Sequence, residues 1–172
     1  MGTQLERLEH LAEVGGTFEQ FCAAIAELFR VKKHEVAVLS LRNHMLSFVH
    51  PKELRNIGSI PLSSTAHASR SAVHKKFELS NNFIKVRHKS VFEAVKMGEE
   101  FDSLTIQKII SGPILSPSKE VVGVIQISRK GSSPERSGPD FTQEDLNHLK
   151  NVSELLGKAF PQLQDAPEPQ NP

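Results

Sequence analysis

The chain has 172 residues and a formal net charge of +1, and 38% of its residues are apolar. Such a length suits one domain, since domains commonly run to about 100–200 residues. No apolar run approaches the ~18 residues that span a bilayer, so no membrane partner is expected. The first residues include acids and form no apolar segment, which indicates that they are not a secretory signal peptide.

Charge is unevenly distributed along the chain. Residues 1–69 are neutral overall, residues 70–98 carry a net +5, and residues 99–172 carry a net −4. The basic middle predicts attraction for a small anion, and the alternative is an ordinary solvated basic face. Nucleic acid is not expected as a partner, because the pI of 7.9 lies below the values above ~9 that are typical of nucleic-acid-binding domains.

Cys22 is the only cysteine. A single cysteine excludes a disulfide within the chain and a multi-cysteine zinc site. Together with the missing signal peptide, this favours a cytoplasmic location. Cys22 falls within the apolar stripe of a predicted helix, which indicates a buried, inert thiol and not a nucleophile.

Apolar residues at a spacing of three to four predict the helices, and β-branched, alternating stretches predict the strands. In chain order, these elements are a helix over 3–14, a helix from Thr17, strands over 35–42, 44–50 and 57–62, a helix over 64–77, an irregular stretch over 78–89, a short helix over 90–97, strands over 106–115 and 121–130, and a last helix from Thr142. Gln20 follows Thr17 by three residues, and Asp145 follows Thr142 likewise, which is typical of helix N-termini.

Three features of the second half occur in a particular order. Pro113 lies near the end of one strand, the run Val122-Gly123-Val124 lies in the next, and Phe141-Thr142 with Asp145 opens the last helix. Together with the stretch IGSIPLSSTAHASRSAV (57–73), this order resembles a GAF domain over about residues 17–160. The resemblance implies an α+β, PAS-related fold with about six antiparallel strands, terminal helices on one face and a covered pocket on the other.

The expected domain organisation follows from this resemblance. An N-terminal helix over 1–16 precedes a single GAF-like domain over 17–160, and a disordered tail covers 161–172.

No catalytic residue, cofactor or metal site is predicted. Free methionine sulfoxide reductases of the GAF family use several cysteines around the pocket, whereas Cys22 lies on another element. The cyclic-GMP signature lacks its acidic pair, and a linear tetrapyrrole would need a cysteine in the pocket. A histidine such as His50, His67, His74 or His88 could hold haem, but scattered surface histidines are the commoner case. We therefore expect that the protein is not an enzyme.

The candidate ligand site is the sheet face covered by residues 64–98. Its predicted lining combines apolar side chains with inward polar groups, and Arg70 is expected to contact an anion. The candidate residues are Phe48, Ile60, Ser63, Ser64, His67, Arg70, Val73, Phe83, Ile110 and Ser111.

The expected function is a non-catalytic sensor or regulatory module that binds a small, anionic ligand in signal transduction. The alternative is a dimerisation or protein-interaction scaffold whose pocket is filled by side chains. A homodimer built as a four-helix bundle is expected, and a separate signalling protein is a further possible partner. In a competing interpretation, helix 3–14 folds back on its own domain. The predicted dimer contacts are Leu5, Leu8, Leu149, Val152 and Leu156.

Overall fold

The structure is a computed structural model that describes residues 2–55, 58–64, 66–83 and 105–165. The strands are β1 Val36–Arg42, β2 Met45–His50, β3 Ser59–Pro61, β4 Glu78–Ser80, β5 Thr105–Leu115 and β6 Val121–Gly131. The helices are α1 Gly2–Val14, α2 Phe18–Phe29, α3 His67–His74 and α4 Gln143–Asp165, and short 3₁₀ turns lie at Lys33–Glu35, Lys52–Leu54 and Pro134–Arg136. None of the described helices is long and apolar enough to cross a membrane.

All six described strands form one antiparallel sheet in the order β3-β2-β1-β6-β5-β4. The terminal helices α1, α2 and α4 pack on one face, and α3 packs on the other. This arrangement confirms the predicted α+β fold with terminal helices on one face. Because side chains alternate along a strand, the central strands β1, β5 and β6 supply residues to both layers.

The long β5–β6 pair forms the centre of the sheet, and an irregularity in β5 sets which residues face α3. The pairing shifts between Ile106 and Lys108, so Gln107 is an extra residue in the strand. As a result, Ile106 and Ile109 both pack in the α3 layer, although they are three residues apart. Beyond the bulge normal alternation returns, and Ile110 packs against the terminal helices.

Helix α1 belongs to the same core as the rest of the chain. Leu8 is fully buried in the cluster that contains α2 and α4, and Arg7 pairs with Glu27 of α2 at 3.1 Å. The competing interpretation, in which helix 3–14 folds back on its own domain, is therefore the observed one. An isolated helix of this length is marginal in water, so it needs this partner.

The predicted dimer contacts are mostly occupied within the single chain. Leu8, Leu149, Val152 and Leu156 are at most 1% exposed in the terminal-helix core, and only Leu5 is half-buried. A homodimer stays a prediction, and its interface would need other side chains than these four.

The two predicted helix starts are confirmed in atomic detail. The Thr17 hydroxyl accepts a hydrogen bond from the backbone N–H of Gln20 at 3.1 Å, and the Gln20 side chain accepts one from the N–H of Thr17 at 2.9 Å. Thr142 and Asp145 make the same reciprocal pair at 3.1 and 2.8 Å. Each pair satisfies two N–H groups that the helix itself leaves without partners.

Some boundaries differ from the prediction. The segment 78–80, predicted to be irregular, forms β4 by pairing with β5. Helix α4 continues through Pro161 to Asp165, past the predicted domain end at residue 160. The predicted short helix over 90–97 and residues 166–172 of the predicted tail lie outside the described residues.

Arg129 holds three segments of the terminal-helix layer together. Its guanidinium donates hydrogen bonds to the carbonyls of Phe29 and Arg30 at the C-terminal end of α2, each at 3.2 Å. The same group lies 4.7 Å from the centre of the Phe141 ring, just before α4. Burial lowers the pKa of Arg129, and the negative end of the α2 dipole compensates part of that cost.

Two glycines let α4 lie close against the sheet. A Cβ at Gly157 would collide with the carbonyl oxygen of Leu115 in β5. A Cβ at Gly123 of β6 would collide with the carbonyl oxygen of Leu39 and would lie 3.1 Å from the Phe160 ring. The close approach therefore depends on the missing side chains at these two positions.

We expect Gly157→Ala to destabilise the protein. Alanine usually stabilises a helix by about 1 kcal/mol relative to glycine, but overpacking against a backbone carbonyl costs about 1–3 kcal/mol. The free energy of unfolding in urea should fall, whereas Lys158→Ala at the neighbouring exposed position should stay within about 0.5 kcal/mol of the wild type. A more stable Gly157→Ala variant would contradict the close contact.

Candidate functional site

Helix α3 presents polar side chains to the sheet. His67, Ser69 and Ser71 are all buried, at 3%, 0% and 0% exposure. Ser69 donates to the carbonyl of Pro61 at 2.9 Å, which holds the start of α3 beside β3. The helix therefore brings hydroxyl and imidazole groups to a largely apolar face of the sheet.

A chain of hydrogen bonds runs from the sheet into α3. The Gln126 amide donates to the Ser111 hydroxyl at 3.2 Å, and the hydroxyls of Ser111 and Ser71 are 2.8 Å apart. Ser71 donates in turn to the carbonyl of His67 at 3.3 Å. The His67 carbonyl can only accept, so Ser71 uses its single proton there and must accept from Ser111. The three hydrogen bonds therefore point the same way, from Gln126 through Ser111 and Ser71 to His67.

Glu78 of β4 binds two basic groups of α3. Its carboxylate lies 3.1 Å from Nε2 of His67 and 3.4 Å from the Arg70 guanidinium. The His67 ring also meets the ring of Phe83 edge to face, with centroids 5.9 Å apart. A carboxylate accepts only, so Nε2 of His67 carries a proton and the imidazole is held in one orientation.

The structure brings together about half of the predicted site residues. Phe48, Ile60 and Phe83 are buried in the apolar cluster of the α3 layer, and His67 and Ser111 lie in the polar groups described above. Ser64 contacts the Ser69 hydroxyl at 2.9 Å, at the N-terminal end of α3.

Other predicted residues are placed elsewhere, and the prediction is wrong for them. Ile110 and Ser111 are neighbours in a strand and must face opposite layers, so Ile110 packs against the terminal helices. Val73 is 55% exposed on the outer face of α3. Ser63 is exposed in the turn before α3. Arg70 is also exposed and pairs with Glu78, so it does not point inward as an anion contact.

Ser71, Glu78 and Gln126 are not among the residues predicted for the site, although they form its polar contacts. Gln126 interrupts the apolar run of β6 at a position that faces α3, and Ser71 follows His67 by four residues on the same helical face. Both signals were present in the sequence. Glu78 had none, because its strand is three residues long and was not predicted.

A cavity of about 190 Å³ lies at another place, beside the N-terminus of α2 and the end of β2. Lys33 and Glu19 form an ion pair of 2.6 Å at this cavity, and Nε2 of His50 lies 3.3 Å from the carbonyl of Lys33. None of the residues predicted for the ligand site takes part. The lining residues are Phe18, Glu19, Lys33, His34, His50, Pro51, Lys52, Glu53 and Arg55.

Both imidazoles of this cavity are poor bases. Burial, with Lys130 and Lys32 as lesser causes, lowers the pKa of His34 to about 4. Burial likewise lowers the pKa of His50. Both rings are therefore neutral at pH 7. In the described residues, no group of three or more His, Cys, Asp and Glu side chains is placed to hold a metal ion.

The thiol of Cys22 lines neither place. Cys22 is fully buried in the terminal-helix core, and burial raises the pKa of its thiol. At neutral pH the group is a protonated thiol that packs like a small apolar side chain.

We expect Ser111→Ala to lower the free energy of unfolding by about 1–3 kcal/mol, because the buried Gln126 amide loses its acceptor and the Ser71 hydroxyl oxygen loses its donor. Urea unfolding measures the change. Ser118→Ala, in the exposed turn between β5 and β6, removes a similar hydroxyl pair and should change stability little. Equal effects of the two substitutions would mean that the buried chain is not a stabilising contact.

We expect His34 to make the protein less stable in mild acid. Its pKa is about 4 in the folded chain against 6.5 ordinarily, so the unfolded chain takes up the proton first as the pH falls. Stability should therefore decrease from about pH 6.5 to about pH 4 and level off below. His34→Gln should flatten this dependence in urea unfolding curves, and His10→Gln, on the exposed face of α1, should not. An unchanged slope in His34→Gln would refute the assignment.

No protein-family model matches the chain, and no curated protein matches it. Solved structures do. The GAF domain of an Acinetobacter phosphoenolpyruvate-protein phosphotransferase is similar at a TM-score of 0.68 and 13% identity, over 94% of this chain and 93% of that one. Residues 122 to 287 of a methyl-accepting chemotaxis protein are similar at 0.64 and 14%, over 94% and 96%.

An enzyme has the same fold. The free methionine-R-sulfoxide reductase from Neisseria meningitidis, solved in complex with its substrate, is similar at a TM-score of 0.65 and 13% identity, over 95% of this chain and 89% of that one. The expectation that the chain is not an enzyme is therefore wrong, because this fold also occurs in an enzyme and does not exclude catalysis.

The likeness covers nearly the whole chain, and the similar structures have different roles. Sequence identities of 13–14% establish the fold alone. The resemblance found in the sequence is thus confirmed at the level of architecture: the chain has the fold of a GAF domain.

Proposed function

We propose that the chain is a sensor or regulatory domain that binds a small ligand between the sheet and α3. The observation that carries this proposal is the directed chain of Gln126, Ser111 and Ser71, buried among apolar side chains. Replacing both partners of a buried hydrogen bond by apolar groups of the same shape can be nearly neutral, so simple packing does not require polar groups here. A mostly apolar surface with a few convergent polar groups is the usual composition of a small-molecule site.

The fold supports the same proposal. In the Neisseria reductase, this architecture holds a small substrate, and in the phosphotransferase and the chemotaxis protein it is one part of a larger protein. Fold alone does not fix function, so the buried polar chain is the more specific argument.

The described part of the site favours an uncharged, hydrogen-bonding ligand over the anion expected from the basic middle segment. Glu78 already pairs with Arg70 and with His67. The polar groups of the buried chain are the hydroxyl of Ser111 and the carboxamide of Gln126 from the sheet, and the hydroxyl of Ser71 from α3. A ligand with hydroxyl, amide or sulfoxide groups matches these partners without the cost of burying a charge.

The proposal includes a cytosolic location and a separate protein that receives the signal. The lone, buried thiol of Cys22 is consistent with a reducing compartment. Fractionation of cells that express the chain would test the location.

We expect the purified chain to carry or capture a small molecule at this site. Native mass spectrometry after purification, followed by the same measurement under denaturing conditions, would reveal a copurified ligand. Methionine-R-sulfoxide and the free amino acids are suitable first probes in ligand-detected NMR. Methionine formed from the sulfoxide in the presence of a dithiol reductant would show catalysis as well as binding.

The control is a pair of matched substitutions. Gln126→Leu removes the amide at nearly constant volume and should weaken binding by about tenfold or more, which corresponds to about 1.4 kcal/mol. Gln143→Leu, at an exposed position of α4, should leave the affinity unchanged. If no ligand is found, or if both variants bind equally well, the alternative is favoured, in which Phe48 and Phe83 fill the face and the domain serves protein interaction.

A further inference from the structure

The cavity beside the N-terminus of α2 is separate from the site under α3. It opens where the first turn of α2 meets the 3₁₀ turns Lys33–Glu35 and Lys52–Leu54. Phe18, which forms part of its wall, belongs to the terminal-helix core and not to the α3 layer. A ligand here would therefore be independent of the ligand proposed above.

The size of the cavity limits its occupant. An apolar cavity of about 150 Å³ is known to hold one benzene molecule, and the volume here is about 190 Å³. The space therefore suits one small ring, or a branched aliphatic group of similar size, with one polar substituent. It is too small to enclose a nucleotide.

One wall of the cavity is apolar and rigid. Phe18 is 8% exposed, and its ring packs edge to face on Phe160, with centroids 5.3 Å apart. Pro51, also buried, lies on the same lining. A preformed apolar wall lowers the entropic cost of binding a small apolar body.

The charged lining is positive overall. Lys33, Lys52 and Arg55 face two acids, Glu19 and Glu53, which leaves a formal +1. Lys33 holds Glu19 in an ion pair of 2.6 Å, and the hydrogen bond from Lys33 lowers the pKa of Glu19. The charge of the Glu19 carboxylate is therefore balanced by Lys33, so Glu19 does not attract a cationic ligand to the cavity.

The helix end at the cavity adds to this positive character. Phe18 and Glu19 are the first two residues of α2, and both line the cavity. The first N–H groups of a helix have no partner within the helix, and this end of the helix carries a partial positive charge. Both effects favour a negatively charged group.

The two histidines contribute no charge at pH 7. The low pKa of His34 and the lowered pKa of His50 keep both rings neutral. Nε2 of His50 lies against the Lys33 carbonyl, so this nitrogen carries the proton. The sign of the site is thus set by the lysines, the arginine and the helix end.

We propose that this cavity binds a small monocarboxylate whose apolar body is about one ring in size. The apolar body lies against Phe18 and Pro51, and the carboxylate lies toward Lys52 at the positive end of α2. Lys52 is exposed and is the cation placed to contact such a ligand, since Lys33 is engaged by Glu19 and Arg55 donates to the carbonyl of Val49 at 2.9 Å.

The test compares three probes of equal shape and different charge. Benzoate, benzyl alcohol and benzylamine are titrated into the full chain at pH 7, with binding followed by isothermal calorimetry and by the NMR signals of the His34 and His50 rings. We expect benzoate to bind about tenfold tighter than either other probe and to shift both ring signals. Stronger binding of benzylamine, no binding of benzoate, or benzoate binding without a shift of these signals would overturn the proposal.

Matched variants locate the interaction. Lys52→Met should weaken benzoate binding by about tenfold, because it removes a charged hydrogen-bond donor. Lys76→Met, at an exposed position beside the opposite edge of the sheet, should not. Circular dichroism checks that both variants fold. Equal affinities of the two variants would refute the role of Lys52.

The same titration separates this proposal from the preceding one. Gln126→Leu should leave benzoate binding unchanged, since Gln126 lies in the α3 layer. Loss of benzoate binding in Gln126→Leu would place the carboxylate under α3 and would overturn the second site.

Discussion

The buried guanidinium of Arg129 fixes the relative position of the segments that surround the sheet. It donates hydrogen bonds to the carbonyls of Phe29, the last residue of α2, and of Arg30, the residue after it. It also lies over the ring of Phe141, just before α4. The Asn81 side chain, just past β4, bonds to both the N–H and the carbonyl of Phe141 at 2.8 and 3.0 Å. Through one cation and one amide, an edge strand, a central strand and two helices share a single junction. Removing the Arg129 guanidinium would take this donor from both carbonyls, Phe29 and Arg30, which costs more than one ordinary hydrogen bond.

The sheet separates two chemical environments by the simple alternation of its side chains. On the α3 side, Ser111 and Gln126 bring polar groups into an apolar layer, whereas their neighbours Ile110 and Ile127 complete the dry core under the terminal helices. The cavity at α2 belongs to neither arrangement. It forms where a helix start, a strand end and two turns meet, so its charges come from residues that are half-buried or exposed. The two proposed sites therefore differ in kind, with hydroxyls and an amide at one and cations at a helix end at the other.

Local signals in the sequence predicted much of the fold. The Thr17 and Thr142 caps, the hairpin of β1 and β2 and the long β5–β6 pair all depend on residues close together in the chain. The misplaced and missed site residues depend on distant contacts. Strand β4 exists only because β5 offers it an edge, so Glu78 could not be placed. The cavity joins residues from 18 to 55 through chain folding, and no spacing in the sequence marks it. Ile110 and Ser111 are consecutive residues of one strand, so their side chains point to opposite faces and cannot line the same site.

The contact between Gly157 and the Leu115 carbonyl has a mechanical consequence. It is a contact of backbone with backbone, so no side chain can rotate to absorb a relative displacement. A displacement of β5 at Leu115 would therefore press directly on the backbone of α4 at Gly157. Ser111 lies four residues before Leu115 on that strand. Strand β5 therefore connects the polar layer under α3 with the outer helix. A shift of β5 caused by a ligand under α3 would therefore reach α4 through a backbone contact and not through side-chain repacking.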